Sequence, residues 1–375
     1  MGSAPSIFTQ RMTFSHPLCA TIGQMSLWPG VIEFYRSLID LPAGVPPVTL
    51  LEGNTPLISM PHLAQELGAQ SLFVKFEGLN PSGSFKDRGM TVAISEAVSR
   101  GVTAVICAST GNTAASAAAY AARAGLRCLV VIPEGKVAMG KLAGALAYGA
   151  ETIQVLGSFD DALSMVTVIS QSYPIALVNS LNPYRLEGQK TAAFEICDSL
   201  NQAPDWLALP VGNAGNITSY WMGFQQYHQL KGIGLPHILG VQASGAAPLV
   251  KGTVVDNPET VATAIRIGRP ARGEQALQAA HESDGKIIAV PDEKILHAQH
   301  KLAQEGLWVE PASAAGVAGL LEQSKAGEID FAGQTIVCVC TGHGLKDPDI
   351  ITSHQPVTMQ IPPDVKALES LLERE

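Results

Sequence analysis

Charged and aromatic residues are scarce in this chain, at 15% and 6% of its 375 residues. Acidic residues outnumber basic ones by 33 to 24, and the formal net charge is −9. A negative field of this kind repels the phosphates of nucleic acids, so the composition argues against a nucleic-acid partner. An anionic substrate would therefore need a local group of basic side chains to hold it.

The six cysteines are scattered along the chain, and no two of them form a CxxC pair. Most of them lie inside apolar runs, which is typical of reduced thiols in a protein core. Cys338 and Cys340 alternate along a predicted strand and face the same side, but two ligands do not make a metal site. We therefore expect neither a disulfide framework nor a bound metal.

The chain has no run of 18 apolar residues, so neither a membrane-spanning helix nor a membrane partner is predicted. The first 24 residues contain Arg11 but no continuous apolar segment, and we expect no secretory signal. A cytoplasmic location is the resulting expectation. Residues 1–25 are interpreted as an N-terminal tail, for which disorder is one interpretation. The hydrophobic fraction of 46% suits roughly two domains with cores of their own.

Short apolar runs alternate with helical patterns along most of the chain. The predicted strands lie at residues 104–107, 128–132, 152–156, 175–178, 206–211, 238–242, 287–290 and 335–340. Between them, residues 258–267 allow a further helix in a stretch that otherwise reads as irregular. Strands and helices at this spacing form parallel sheets with right-handed crossovers. We therefore predict an α/β fold with two open parallel-sheet domains, helices on both faces, and a ligand-binding crevice between the domains.

One lysine, Lys86, lies in a small polar turn that contains glycine. The turn, Asn80-Pro81-Ser82-Gly83-Ser84-Phe85-Lys86, follows an apolar run at residues 72–74 and precedes a helical pattern at residues 90–98. A lysine at a strand–turn–helix junction is placed for chemistry, and its amine could hold an aldehyde cofactor as a Schiff base. Lys190 is a rival by composition, but it lies inside a helical pattern at residues 188–200 and is interpreted as structural.

Two glycine-containing turns follow predicted strands and open predicted helices. Ser109-Thr110-Gly111-Asn112-Thr113 places helix N–H groups and a positive dipole end where a carboxylate or phosphate could bind. A plain capping turn has the same composition. Gly212-Asn213-Ala214-Gly215-Asn216 lets successive N–H groups converge on one anion, such as a cofactor phosphate, or forms a tight turn.

Two further polar segments also follow strands. Asn179-Ser180 with Arg185 offers an anion grip, because Arg makes bidentate, charge-assisted hydrogen bonds, although a surface Arg beside a linker is the alternative. Thr341 begins a turn after the last strand, and its hydroxyl would face the crevice, where it could bond a heteroaromatic nitrogen. By itself this last segment is an ordinary turn.

In combination and in this order, the motifs resemble those of the threonine synthase family, pyridoxal-phosphate (PLP) enzymes of the tryptophan-synthase-β-like, type II fold. Gly-Ser-Phe-Lys-Asp-Arg-Gly at residues 83–89 is similar to the cofactor-lysine signature of the family. The other similar segments lie at residues 51–57, 109–113, 186–191, 212–216, 310–313 and 341–348. The resemblance covers about residues 28–350.

The resemblance implies a role for each segment. Lys86 would hold PLP as a Schiff base and later move protons, and Thr341 would bond the pyridine nitrogen. The other implied cofactor-binding residues are Phe85, Asn112 at the 3′-oxygen, and Gly212, Asn213, Ala214, Gly215 and Asn216 around the phosphate. The implied substrate-binding residues are Ser84, Ser109, Thr110, Gly111, Thr113, Asn179, Ser180 and Arg185.

The resemblance also implies a reaction and an assembly. O-phospho-L-homoserine and water would become L-threonine and phosphate by β,γ-elimination and replacement, as the last step of threonine biosynthesis, in a homodimer. We place a larger cofactor-phosphate domain at residues 26–79 plus 183–360. A smaller domain with the substrate-side loops is placed at residues 80–182, and a C-terminal helix or tail at residues 361–375.

Three alternatives compete with this interpretation. A serine/threonine dehydratase of the same fold needs no second anion grip and would tend to carry Ser or Cys at the position of Thr341. O-acetylserine sulfhydrylase fits less well, because its substrate carries no phosphate. A catalytically silent ligand-binding relative is the alternative from another class, and the retention of Lys86 with the phosphate motifs counts against it.

Overall fold

Two β-sheets organise the part of the chain that the computed structural model describes, namely residues 27–134, 139–352 and 360–372. The strands are β1 Leu57–Ser59, β2 Ser71–Phe76, β3 Ala104–Ala108, β4 Arg127–Pro133, β5 Glu151–Val155, β6 Ile175–Leu177, β7 Trp206–Pro210, β8 His237–Ala243, β9 Lys286–Val290 and β10 Thr335–Cys340. The larger sheet has the order β1-β2-β10-β7-β8-β9, and the smaller sheet has the order β5-β4-β3-β6. All neighbouring pairs are parallel except β1 with β2.

Helices connect the strands. They are α1 Val31–Phe34, α2 Pro61–Leu67, α3 Lys86–Ser99, α4 Asn112–Ala124, α5 Met139–Ala147, α6 Phe159–Ser172, α7 Pro183–Gln189, α8 Thr191–Leu200, α9 Gly215–Lys231, α10 Pro248–Lys251, α11 Gly273–Glu282, α12 Asp292–Gln304, α13 Pro311–Lys325, α14 Asp349–Thr352 and α15 Val365–Leu372. None of the helices in the described residues is long and apolar enough to cross a membrane. The predicted tail at residues 1–25 lies outside the described residues.

Each sheet has a hydrophobic core on both of its faces. In β4, Val130 packs into one buried cluster and Val131 into another. In β7, Ala208 and Leu209 divide between two clusters in the same way. Because successive side chains of a strand point to opposite faces, helices must cover both faces of each sheet. This arrangement confirms the predicted α/β class with two open sheets.

The β3–α4 unit shows how the sequence sets these elements. All five residues of β3 are buried, as expected for a strand with neighbours on both edges and helices on both faces. Helix α4 is rich in alanine, the strongest helix former. The helix ends at Gly125, whose φ of +69° is left-handed and therefore favours glycine.

Three sequence predictions need correction. Strand β1 is not predicted at all; it lies at the edge of the larger sheet, where its three residues pair with β2 in the antiparallel direction. The helix allowed at residues 258–267 is a short 3₁₀ turn, Thr263–Ile265. Its backbone is diverted because the Val261 N–H donates to Asp292 Oδ2 at 2.9 Å. Lys190 lies at the break between α7 and α8 and not inside one helix, and its amine is 2.5 Å from Glu187 Oε2.

Four buried charged side chains form an ion cluster beneath the lysine turn: Lys75, Glu77, Arg88 and Glu195, here called the Arg88 cluster. Arg88 Nε lies 2.6 Å from Glu77 Oε2, and its Nη1 and Nη2 each lie 2.7 Å from a Glu195 oxygen. Lys75 Nζ is 2.7 Å from Glu195 Oε2. Although burial opposes ionisation, Arg88 and Lys75 lower the pKa of Glu195 to about 2. The charges balance, and their hydrogen bonds offset the loss of water.

The Arg88 cluster joins segments that are far apart in the sequence. Lys75 belongs to β2, Glu77 to the turn after it, Arg88 to α3 and Glu195 to α8. Thr55 adds the preceding loop, since its hydroxyl donates to Glu77 Oε1 at 2.7 Å and accepts from Arg88 Nη2 at 3.0 Å. The cluster therefore fixes the start of α3, where Lys86 lies, against the larger sheet.

Two glycines allow helices α3 and α7 to touch. A Cβ at Gly188 would lie 1.8 Å from the backbone oxygen of Arg88, and a Cβ at Gly89 would lie 2.5 Å from that of Arg185. No side chain fits at such distances, so glycine is required on both helices. The contact brings the buried side chain of Arg185 beneath the first turn of α3.

Replacing Arg88 by Met should lower the free energy of unfolding by about 3–5 kcal/mol, because Glu77 and Glu195 would keep buried charges with Lys75 as the sole cation of the cluster. Urea unfolding followed by circular dichroism measures the change. Arg127→Met is the matched control, because Arg127 pairs with Glu151 at the surface and should change the midpoint little. Equal losses in the two variants would show that the Arg88 cluster stabilises no more than a surface ion pair does.

Candidate active site

Lys86 is the first residue of α3, and the turn before it is bound to the loop that follows β10. The Phe85 N–H donates to the Thr341 carbonyl at 2.9 Å, and the His343 N–H donates to the Gly83 carbonyl at 3.0 Å. Gly83 has a left-handed φ of +84°, which turns the chain into the helix. The structure therefore brings together Lys86 and the Thr341 segment, as both lie at the carboxyl ends of strands in the larger sheet.

The environment of Lys86 favours a neutral amine. Burial lowers the pKa of Lys86 from 10.5 to about 7, the positive charge of Arg185 acts in the same direction, and Glu310 opposes them. The amine lies 4.2 Å from the centre of the Phe85 ring. Since only the neutral amine is a nucleophile, Lys86 is prepared to react with a carbonyl group near neutral pH.

The N-terminus of α4 forms the wall of the site on the smaller sheet. Asn112 is its first residue, and Asn112 Nδ2 donates to Glu310 Oε1 at 2.9 Å and Oε2 at 3.2 Å. The Gly111 N–H donates to Ser109 Oγ at 3.2 Å, which shapes the turn into the helix. The half-buried residues of this wall are Ser109, Thr110, Gly111 and Thr113. A carboxylate in the crevice could bind at this helix N-terminus.

The loop after β7 has the backbone of an anion-binding nest. Ala214 has a left-handed φ of +65° and precedes Gly215, where the 17-residue helix α9 begins. The amide Nδ2 of Asn216 is buried and has no hydrogen-bond partner. Gly212 is in a tight place, because a Cβ there would lie 3.0 Å from Ile265 Cα and the neighbouring backbone would have to move by a few tenths of an ångström. Of the five predicted residues, only Asn213 is half-buried and the others are buried. Such a loop suits a phosphate.

Thr341 has a buried partner that the sequence analysis does not assign. Thr341 Oγ1 lies 2.9 Å from Ser313 Oγ, and the Gly342 N–H donates to the same Ser313 oxygen at 2.8 Å. Ser313 is in the first turn of α13, next to the end of β10. Its segment is part of the family resemblance, and that was the only signal for it. The pair holds the Thr341 hydroxyl in one place.

In the predicted anion-binding segment at residues 179–185, the side chains of Asn179 and Arg185 form hydrogen bonds with backbone groups. The Asn179 amide accepts from the Ala108 N–H at 3.0 Å and donates to the Ala108 carbonyl at 2.9 Å. Arg185 is 1% exposed, and its Nη1 donates to the Val178 carbonyl at 2.8 Å while its buried Nε has no partner. Ser180 stays half-buried. A direct substrate contact by these residues is still a prediction.

Arg272 is a further side chain that sequence reasoning missed. Its Nε donates to the Ser180 carbonyl at 3.2 Å, and its Nη2 donates to the Leu181 carbonyl at 3.2 Å. Arg272 immediately precedes α11, more than ninety residues away in the sequence. Arg272, which lies in the part of the chain that carries the larger sheet, thus holds the backbone of the predicted anion-binding segment at residues 179–185. No sequence pattern pointed to it, because the contacts are to backbone carbonyls.

These residues fit pyridoxal phosphate. An amine with a pKa near 7, a phosphate-type loop with an unpartnered Asn216 amide, and the Thr341 hydroxyl are the groups that its aldehyde, phosphate and ring nitrogen require. Ser84 Oγ, two residues before Lys86, is buried without a partner, as a group intended for a bound molecule would be. Among the described residues, no three His, Cys, Asp or Glu side chains are grouped to hold a metal ion.

Comparison with known proteins identifies the family. A family model described as "Pyridoxal-phosphate dependent enzyme" matches residues 48–342. A threonine synthase of Halalkalibacterium halodurans is 57% identical over 341 residues, which cover 91% of this chain and 96% of that protein. A threonine synthase of Mycobacterium tuberculosis is 56% identical over 344 residues, which cover 91% and 95% of the two chains.

Solved structures show the same fold. Maize serine racemase aligns with a TM-score of 0.69 at 21% identity, over 80% of this chain and 91% of that chain. A threonine deaminase from Solanum lycopersicum aligns with a TM-score of 0.67 at 22% identity, over 79% and 81%. The fold, the cofactor and the relatives agree, and the chain belongs to the pyridoxal-phosphate dependent enzymes and, within them, to the threonine synthase family of lyases.

Proposed function

We propose that this chain converts O-phospho-L-homoserine and water into L-threonine and phosphate, the last step of threonine biosynthesis. The observation that carries the proposal is the buried amine of Lys86, whose pKa is about 7 and which feels the charge of Glu310, the acid bound to Asn112 at the α4 wall. Identities above 50% to threonine synthases support this activity over that of a dehydratase. The deaminase and racemase structures resemble the chain in fold only.

When bound, pyridoxal phosphate supplies an electron-withdrawing ring that stabilises negative charge on carbons near the substrate's amino group. In our proposal Lys86 holds it, Phe85 packs beside it, and Asn112 bonds its 3′-oxygen. Residues 212–216 bind its phosphate, and the Thr341 hydroxyl, held by Ser313, meets its ring nitrogen. A neutral hydroxyl does not stabilise a protonated ring nitrogen as a carboxylate would, so the surroundings must set the strength of the electron withdrawal.

Lys86 is also the proposed proton carrier. With a pKa of about 7, its amine can accept a proton from the substrate's Cα and return one at neutral pH. Burial is the main cause of that low pKa, and the charge of Arg185 adds to it from beneath α3, where Arg185 Nη2 lies 3.5 Å from the Lys86 carbonyl. Burial of both groups strengthens this repulsion, because water screens it little.

The substrate would be bound from the smaller half. We propose that residues 109–111 hold its carboxylate end, and that Thr113, Asn179, Ser180 and Arg185, with Ser84 nearby, bind its phosphate. Thr113 and Ser180 are the half-buried members of the second group, so their hydroxyls are the more accessible ones. Arg185 supplies positive charge close to them, which a dianion needs in a protein of net charge −9.

The remaining expectations are also proposals. The two sheets support a division into residues 26–79 plus 183–360 and residues 80–182, since β3 to β6 all lie in the second range. Helix α15 lies within the C-terminal segment at residues 361–375. A homodimer rests on the family resemblance, and a cytoplasmic location is still the expectation drawn from the sequence.

The reaction is tested with purified, cofactor-loaded protein and O-phospho-L-homoserine, following phosphate and threonine together. We expect equal release of both. Lys86→Ala should abolish turnover and the yellow colour, whereas Lys190→Ala, the control at the rival lysine, should keep the colour. Phosphate with 2-oxobutyrate in place of threonine would assign a dehydratase-type elimination. A yellow protein that leaves this substrate untouched would overturn the proposed substrate.

Replacing Arg185 by Gln should raise the pKa of Lys86 above about 7, because it removes a positive charge that disfavours the protonated amine. Cofactor uptake by the apoprotein, followed by absorbance between about pH 6 and pH 9, should reach half its maximal rate at a higher pH in this variant. Arg36→Gln, at a surface ion pair with Glu33, is the control and should leave the midpoint unchanged. If the pH midpoint of cofactor uptake is the same in Arg185→Gln as in the wild type, the charge of Arg185 does not lower the pKa of Lys86.

A further inference from the structure

One side-chain contact crosses the crevice between the two sheets at the level of Lys86. Glu310 immediately precedes α13, which packs on the larger sheet, and its N–H donates to the Gly342 carbonyl at 3.2 Å. Asn112 begins α4, which packs on the smaller sheet. The amide of Asn112 meets both Glu310 oxygens, at 2.9 and 3.2 Å. These residues are 198 positions apart in the sequence.

The chemistry of this contact fixes the orientation of an amide. An ionised carboxylate can only accept hydrogen bonds, whereas a side-chain amide has one accepting end and one donating end. Glu310 therefore selects the orientation in which the NH₂ group of Asn112 faces it. Both side chains are buried, at 5% and 8% exposure, so water competes little for the bond.

The backbone of the site leaves space for the Glu310 carboxylate. A Cβ at Gly342 would lie 2.5 Å from Glu310 Oε1 and 2.7 Å from Cδ, so any side chain at this position would displace the carboxylate. Gly342 follows Thr341, whose hydroxyl is held by Ser313. Glu310 therefore contacts both the start of α4, through Asn112, and the segment after β10, through Gly342.

The charges around Glu310 come from several elements. Lys86 at the start of α3 and Lys346 in the 3₁₀ turn Gly344–Lys346 both feel its negative charge, which opposes the lowering of their pKa values by burial. Asp87 acts on Lys346 in the same direction, and Arg185 acts on Lys86 in the opposite direction. Glu310 is the acid that offsets the positive charge at Lys86.

We propose that Glu310 is a positioning residue for the reaction: it orients the Asn112 amide and fastens the α4 wall of the smaller half to the α13 edge of the larger half. The crevice is thereby held closed around Lys86. The proposal deepens the proposed function, on which it rests, because Asn112 is there assigned to the bound cofactor. The acid acts through Asn112 and through closure, without touching the reacting atoms.

The first test measures the contact between Glu310 and Asn112, here called the latch, without any turnover. Hydrogen–deuterium exchange of the apoprotein should be faster in residues 109–120 of the Glu310→Gln and Glu310→Ala variants, because the start of α4 loses its anchor across the crevice. Glu305→Gln is the matched control, since Glu305 also accepts two hydrogen bonds but only from His62 and Leu63 in the larger half. Unchanged exchange in both Glu310 variants would overturn the latch.

The second test asks whether Glu310 acts through Asn112. In the cofactor-loaded enzyme, Glu310→Gln and Asn112→Ala should each lower kcat, on the order of 10- to 100-fold, as expected when a positioning contact is lost. The double variant should lose clearly less than the product of the two single losses, because both changes remove the Glu310–Asn112 contact. Multiplicative losses would mean that the two residues act independently, and the proposal would fail.

A pH profile separates positioning from simple destabilisation. Removing the Glu310 charge should lower the pKa of Lys86, so the acidic limb of the rate profile should move to lower pH, opposite to the shift expected for Arg185→Gln. A profile that keeps its midpoint would contradict the assigned charge effect. If the wild-type protein releases no threonine, the proposed function fails, while the exchange measurement still decides the latch.

Discussion

The buried Arg88 cluster is the constraint on which the rest of the structure depends. Four charges and their hydrogen bonds replace water in the interior, and such a group is stable only when every partner is present. Because its members come from β2, the turn after β2, α3 and α8, their geometry is specified by segments of both domains. Lys86 is two residues from Arg88 on the same helix. The amine of Lys86 therefore belongs to the first turn of α3, and this turn cannot move without separating Arg88 from Glu77 and Glu195.

The chemistry at Lys86 follows from that rigidity. Burial alone disfavours the charged amine, and the nearby Arg185 and Glu310 act on it with opposite signs. A pKa of about 7 is the balance of these influences, and it lies where an amine can both accept and donate a proton at neutral pH. The same two residues also tie the site together, Arg185 through contact between α7 and α3 and Glu310 through its bond to Asn112.

Much of the fold was accessible from the sequence because its signals are local. Strand β10 occurs at the predicted bounds, since an apolar run between polar turns is independent of distant contacts. The predictions failed where a distant partner decides. Strand β1 exists only because β2 pairs with it, and the backbone of residues 258–267 is held by Asp292.

By itself, the sequence determined the residue types and the order of the turns that make the site, because glycine, small hydroxyl residues and one lysine at strand ends follow local rules of backbone geometry and helix polarity. Only the tertiary structure decided how those side chains are used. It paired Asn179 with the backbone of Ala108, placed Arg185 beneath the lysine helix, gave Thr341 its partner Ser313 and joined Asn112 to Glu310. Each of these contacts joins segments that lie far apart in the sequence, and no local pattern encodes such a contact.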